Sequence, residues 1–131
     1  MRAITEGGVQ AFTLNALRIV TGFLIAPHGA QKLFGVLGKD PVDSIFSLSG
    51  VAGVLEFFGG IALIFGIFTR QVAFVLSGLM AAAYWMAHGT ESFWPIVNRG
   101  ELAALYCFVF LFLSAQGGGG FSLEGWIQYR R

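Results

Sequence analysis

The chain has 131 residues, of which 56% are hydrophobic and 11% charged, and its formal net charge is +1. A soluble domain typically carries about 25% charged residues, so this composition points to an exterior covered by lipid. No basic run is present to hold nucleic acid, and a single cysteine, Cys107, rules out an intrachain disulfide, a dithiol redox pair and a cysteine-rich metal site.

Taken in chain order, the apolar runs predict four membrane-spanning helices over about 14–34, 50–68, 72–88 and 101–115. The expected fold is an all-α, integral membrane four-helix bundle with short loops, forming one domain across the chain. The first run reads as a span because it continues into Pro27, His28 and Lys32 without a small-residue cleavage site. Pro27 is expected to break the backbone ladder and kink that span. Residues 36–49 form a polar loop, with a short interfacial helix expected after Pro41. Residues 69–71 read as a tight turn that makes the second and third spans antiparallel neighbours. Residues 90–99 link the last two spans, with Phe93 and Trp94 at headgroup level. The glycines at 117–120 break the chain. Beyond them, Ser122 is placed to cap a short helix in an interfacial tail over 121–131, anchored by Trp126 and Tyr129.

Orientation follows from lysine and arginine. One side holds Arg2, Arg18, Arg70, Arg130 and Arg131, whereas the other holds Lys32, Lys39 and Arg99 diluted by Asp40, Asp43 and Glu91. The positive-inside rule then places both termini in the cytoplasm; the expected location is a bacterial or archaeal inner (plasma) membrane. Arg18 and Arg70 read as cytoplasmic anchors on this view.

Polar residues inside spans are costly and need a reason. His28, Gln31 and Lys32 share one stripe in the second half of span one. Glu56 lies about 9 Å inside Gly50 at 1.5 Å per residue, on the same stripe of span two as Gly53 and Gly60, where small residues admit a neighbouring helix. His88 closes span three, and Asn98, Arg99 and Glu101 open span four. Because the spans alternate in direction, all of these fall at the outer end of the bundle, and the cytoplasmic half reads as almost purely apolar. Glu56 is expected to pair with Lys32 or His28, or to meet a ligand. The candidate ligand-binding set is His28, Gln31, Lys32, Glu56, His88, Trp94, Asn98 and Glu101.

With these residues placed, the sequence resembles the DoxX family of small four-span membrane proteins. The resemblance rests on His28-Gly29-Ala30-Gln31-Lys32-Leu33-Phe34-Gly35, on Leu55-Glu56-Phe57-Phe58-Gly59-Gly60, on Gly66-Ile67-Phe68-Thr69-Arg70, and on Asn98-Arg99-Gly100-Glu101. Arg99 stands where the family commonly has glycine. The resemblance implies a four-helix membrane bundle associated with redox assemblies, including a thiosulfate:quinone oxidoreductase, but it supplies no substrate.

Two functions follow as expectations. In the first, the chain is a membrane subunit of an oxidoreductase assembly that holds a quinone head group near the outer face. His28 and Glu56 then partner the carbonyl oxygens, Lys32 stabilises developing negative charge and Trp94 lines the mouth. In the second, it is a non-catalytic accessory subunit of a larger membrane complex, and the polar cluster is a structural network. Whether the chain is catalytic stays open between them. Haem held by His28 and His88 is a minor third reading. The chain is expected to carry no intrinsic cofactor and no metal; its partners are membrane lipid and other membrane subunits.

Overall fold

A computed structural model of the protein describes residues 7–131. Arg2, which entered the orientation argument, lies outside the described residues. Six helices follow one another: α1 (Gly8–Phe34), α2 (Leu48–Phe65), α3 (Thr69–Ala87), α4 (Pro95–Asn98), α5 (Glu101–Gln116) and α6 (Leu123–Tyr129). Each of the four predicted apolar runs is a helix. Two of these, α1 and α2, are long and apolar enough by themselves to cross a membrane, and α5 is a shorter apolar helix of 16 residues.

The boundaries differ from the expected ones for local reasons. Helix α1 begins at Gly8, earlier than residue 14, and passes through Pro27 without ending. The stretch after Pro41 forms turns and no helix. α2 starts only where the Ser47 hydroxyl accepts from Gly50 N at 3.1 Å. The turn between α2 and α3 occupies residues 66–68, three residues earlier than the expected 69–71. Gly66 ends α2 in the left-handed conformation (φ 71°), and Thr69 already belongs to α3. In the tail the expectation held: Ser122 Oγ accepts from Gly125 N at 3.0 Å and caps α6.

The helices pack as two pairs. α1 lies along α2, α3 lies along α5, and α2 meets α3 to join them. The first pair approaches closely because glycines face each other: a Cβ on Gly22 would stand 2.6 Å from the carbonyl oxygen of Gly60, and one on Gly29 would collide with Phe57 N and Gly53 O. Ile25, Leu63, Ala73, Leu76, Met80, Tyr106, Phe110 and Leu113 form the buried core. Outside it lies a broad apolar exterior, in which Phe12, Phe23, Phe58, Phe74, Trp85 and Phe108 are all well exposed. Such a surface suits lipid or a membrane partner.

Candidate functional site

Lys32, in the last turn of α1, donates to both carboxylate oxygens of Glu56 at 2.9 and 2.8 Å. Gly53 makes this possible, because a Cβ there would press on the Cβ of Lys32 at 2.9 Å and block its stem. The pair is asymmetric. Glu56 is 4% exposed, whereas the Lys32 side chain is 32% exposed. Glu56 and Tyr106, on α5, are both buried, so the carboxylate faces the bundle interior as its stripe predicted.

The other expected members of the cluster do not converge on this pair. His28 is exposed on the outer face of α1 and does not pair with Glu56. The physical reason is helical phase: Gly29 is the residue that faces α2, and its predecessor is turned about 100° away. Gln31 reaches the adjoining loop, donating to Leu37 O at 3.0 Å. Trp94 and Glu101 are exposed, with Glu101 in the first turn of α5 where the helix dipole favours a carboxylate.

Asn98 and His88 form a second, separate network. Asn98 is buried and works from both ends of its amide. Nδ2 donates to Tyr84 OH at 3.0 Å and to Ser92 O at 2.9 Å, while Oδ1 accepts from Gly100 N at 2.8 Å. His88 Nδ1 stands 2.9 Å from the Asn98 carbonyl, which requires the proton on Nδ1. This network folds the loop between α3 and α5. His88 is thereby committed to the loop, and it sits on a different helix pair from the outward His28, an arrangement that does not favour shared ligation of haem. Among the described residues, no three His, Cys, Asp or Glu side chains gather as a metal site.

The loop carries one strained position. Arg99 is left-handed (φ 63°), a conformation that disfavours any residue with a Cβ. Arg99→Gly is expected to raise stability by about 1 kcal/mol, read as a higher unfolding midpoint in detergent. A midpoint that falls would show that the arginine side chain contributes more than the strain removes.

The opposite end of the bundle is not the apolar anchor the sequence suggested. Arg18 is fully buried. Its guanidinium donates to Gly118 O at 2.9 Å, Leu63 O at 2.5 Å, Ile64 O at 2.8 Å and Asn15 Oδ1 at 3.2 Å, and also to Phe121 O. Leu63 and Ile64 lie in the last turn of α2, so Arg18 caps that helix and ties the glycine-rich segment to it. Arg70 does the same for α5, donating to Ser114 O at 3.3 Å, Gln116 O at 3.2 Å and Ala115 O. Glu124, on α6, accepts from Thr69 N at 3.0 Å at the start of α3 and supplies a charge opposing that of Arg18. A groove of about 1090 Å³ opens beside this network, lined by Asn15, Arg70, Gln116, Glu124 and Tyr129 among others. One signal for it was legible: an arginine deep in an apolar helix must find acceptors, and glycines at 117–120 let carbonyls approach it.

The profile of the DoxX family matches residues 13–89. A protein of Haemophilus influenzae (strain ATCC 51907 / DSM 11121 / KW20 / Rd), described as an uncharacterized protein, is 41% identical over 123 residues, covering 88% of this chain and 90% of its own. No solved structure matches the chain significantly. The matched segment holds most of α1 and all of α2 and α3, and with them the Lys32–Glu56 pair and the contact of Arg18 with the end of α2. The chain therefore belongs to the DoxX family of membrane proteins.

Proposed function

We propose that the chain is a four-span membrane subunit that serves a larger redox assembly without performing the chemistry itself. One observation carries this reading: the buried carboxylate of Glu56 has both oxygens bound by Lys32, a geometry that joins α1 to α2. A pair satisfied in this way acts as a fastening between helices, and the apolar exterior is free to meet lipid and partner subunits. The redox character of the assembly comes from the family resemblance. In this reading the spans are α1, α2, α3 and α5, with both termini cytoplasmic and the Lys32 end outward. α5 is about 24 Å long at 1.5 Å per residue, less than the roughly 30 Å of a hydrocarbon core. Its end carbonyls then need donors within the membrane, and Arg70 supplies them.

A second reading is favoured by His28. Its imidazole lies on an outward stripe with Leu17, Val20 and Leu24, one turn before Lys32 and about 10 Å from the end of α1. A polar ring at that depth calls for a partner. A quinone diffusing in the bilayer reaches it from the side, with His28 donating to a carbonyl oxygen.

The two readings part in one experiment. Protein purified in mild detergent from its native membrane is examined for co-migrating subunits, and the isolated chain is titrated with a short-chain quinone. The accessory reading expects a complex that His28→Leu leaves intact, and no saturable quinone binding by the chain alone. Saturable binding lost in His28→Leu establishes the second reading. A chain that migrates alone and binds no quinone overturns both.

A further inference from the structure

Helix α6 has its amphipathic character turned inside out. Glu124 and Gly125 face the protein: Glu124 holds Thr69 N, Glu124 N donates to Gly66 O at 3.3 Å, and a Cβ on Gly125 would stand 2.7 Å from Gly119 O. Leu123, Trp126 and Ile127, at the three- and four-residue spacing of one helical face, point outward, as does Phe121 just before the helix. A helix that presents its apolar face away from its own protein is stable only against another apolar medium.

The charges around that face are basic. Arg130 lies over the Trp126 ring at 3.9 Å from its centroid, Arg131 follows it, and exposed Arg70 stands at the same end of the bundle. Glu124 opposes them from the protein-facing side of α6, where it accepts from Thr69 N, and Arg70 is held by the α5 carbonyls, so Arg130 and Arg131 are the charges beside the apolar face. The segment is also held firmly, because Arg18 binds the carbonyls of Gly118 and Phe121 from the core. We propose that α6 with Arg130 and Arg131 is a docking surface for anionic phospholipid. The apolar residues enter the acyl boundary and the two guanidinium groups bind headgroup phosphates.

This inference rests on the reading of the chain as membrane-spanning, with this end at the inner leaflet. Of the three tryptophans, a Trp85→Phe/Trp94→Phe variant keeps only Trp126, and a Trp94→Phe/Trp126→Phe variant keeps only Trp85, exposed on α3. Both are reconstituted as full chains in vesicles of phosphatidylcholine and phosphatidylglycerol at one overall composition, with either lipid brominated in turn. Trp126 is expected to be quenched more strongly by brominated phosphatidylglycerol. The preference is about fivefold per arginine at most, and it falls toward unity in Arg130→Gln/Arg131→Gln and at high salt. Equal quenching by the two lipids, or a preference that survives both arginine substitutions, overturns the proposal. If Trp85 is quenched while Trp126 answers only to aqueous acrylamide, the spans stand, α6 faces water or a protein partner, and the proposal fails. If neither tryptophan is quenched, the membrane-spanning reading fails with it.

Discussion

Arg18→Ala is expected to lower the stability of the protein by about 3–5 kcal/mol, the range seen when a buried charged network is broken, and to free residues 117–129 from the bundle. The guanidinium spans three elements at once, reaching the last turn of α2, the glycine-rich segment and Asn15 on its own helix. Its removal leaves the carbonyls of Leu63, Ile64, Gly118 and Phe121 without this donor. Arg18→Lys should not rescue it. An ammonium is a compact point donor, and it cannot reproduce a planar fork aimed at acceptors on several sides. The thermal midpoint of the detergent-solubilised protein gives the stability, and hydrogen exchange at the amides of 118–129 reports release of the segment. Arg70→Ala is the internal comparison. Arg70 is exposed and caps only α5, so its loss should cost about 1 kcal/mol and leave exchange at 118–129 largely unchanged. Equal effects from the two substitutions would show that the network does not centre on Arg18.

What the sequence made legible was set by periodicity. The apolar runs fixed the helices, and the stripe of Gly53, Glu56 and Gly60 placed the carboxylate against α1, because helical phase alone decides which residues share a face. Phase explains only part of one miss, because it turns His28 away from α2 but does not by itself separate it from Lys32. His28 and Lys32 share a stripe, yet the side chain of Lys32 is long enough to swing from the edge of the helix contact to Glu56, whereas the imidazole of His28 is not. Reach, unlike phase, depends on how far apart the two helices sit. That spacing was set by Gly22, Gly29 and Gly60 meeting backbone on the other helix.

Arg18 was misread for a different reason. Composition assigns an arginine near one end of a span to the aqueous boundary, whereas the last turn of α2 and the return of the chain after α5 both bring carbonyls to it. The second of these contacts joins residues 100 and 103 positions apart, beyond any local pattern. Asn98 is a similar case. Its position at the mouth of the last span suggested a ligand, and the structure spends every one of its amide contacts on folding the loop.

Lys32 and Glu56 allow structure and function to be separated by a double-mutant cycle. Lys32→Met is expected to be the more damaging single change, at about 3–5 kcal/mol, because it strands a carboxylate that is almost wholly buried. Glu56→Leu should cost less, since the Lys32 side chain is one-third exposed and can turn its ammonium toward the interface. Combining Lys32→Met with Glu56→Leu removes both charges while keeping the volume between α1 and α2, and stability should return to within about 1 kcal/mol of the parent. A double variant as unstable as Lys32→Met alone would show that the site cannot accept an apolar pair. The folded double variant then becomes the informative reagent. If it still enters the native membrane complex, the pair is a fastening between helices and nothing more. If it folds normally but no longer assembles, or loses quinone binding where the parent has it, the charges are recognised from outside, and the exposed third of Lys32 is the part that is seen.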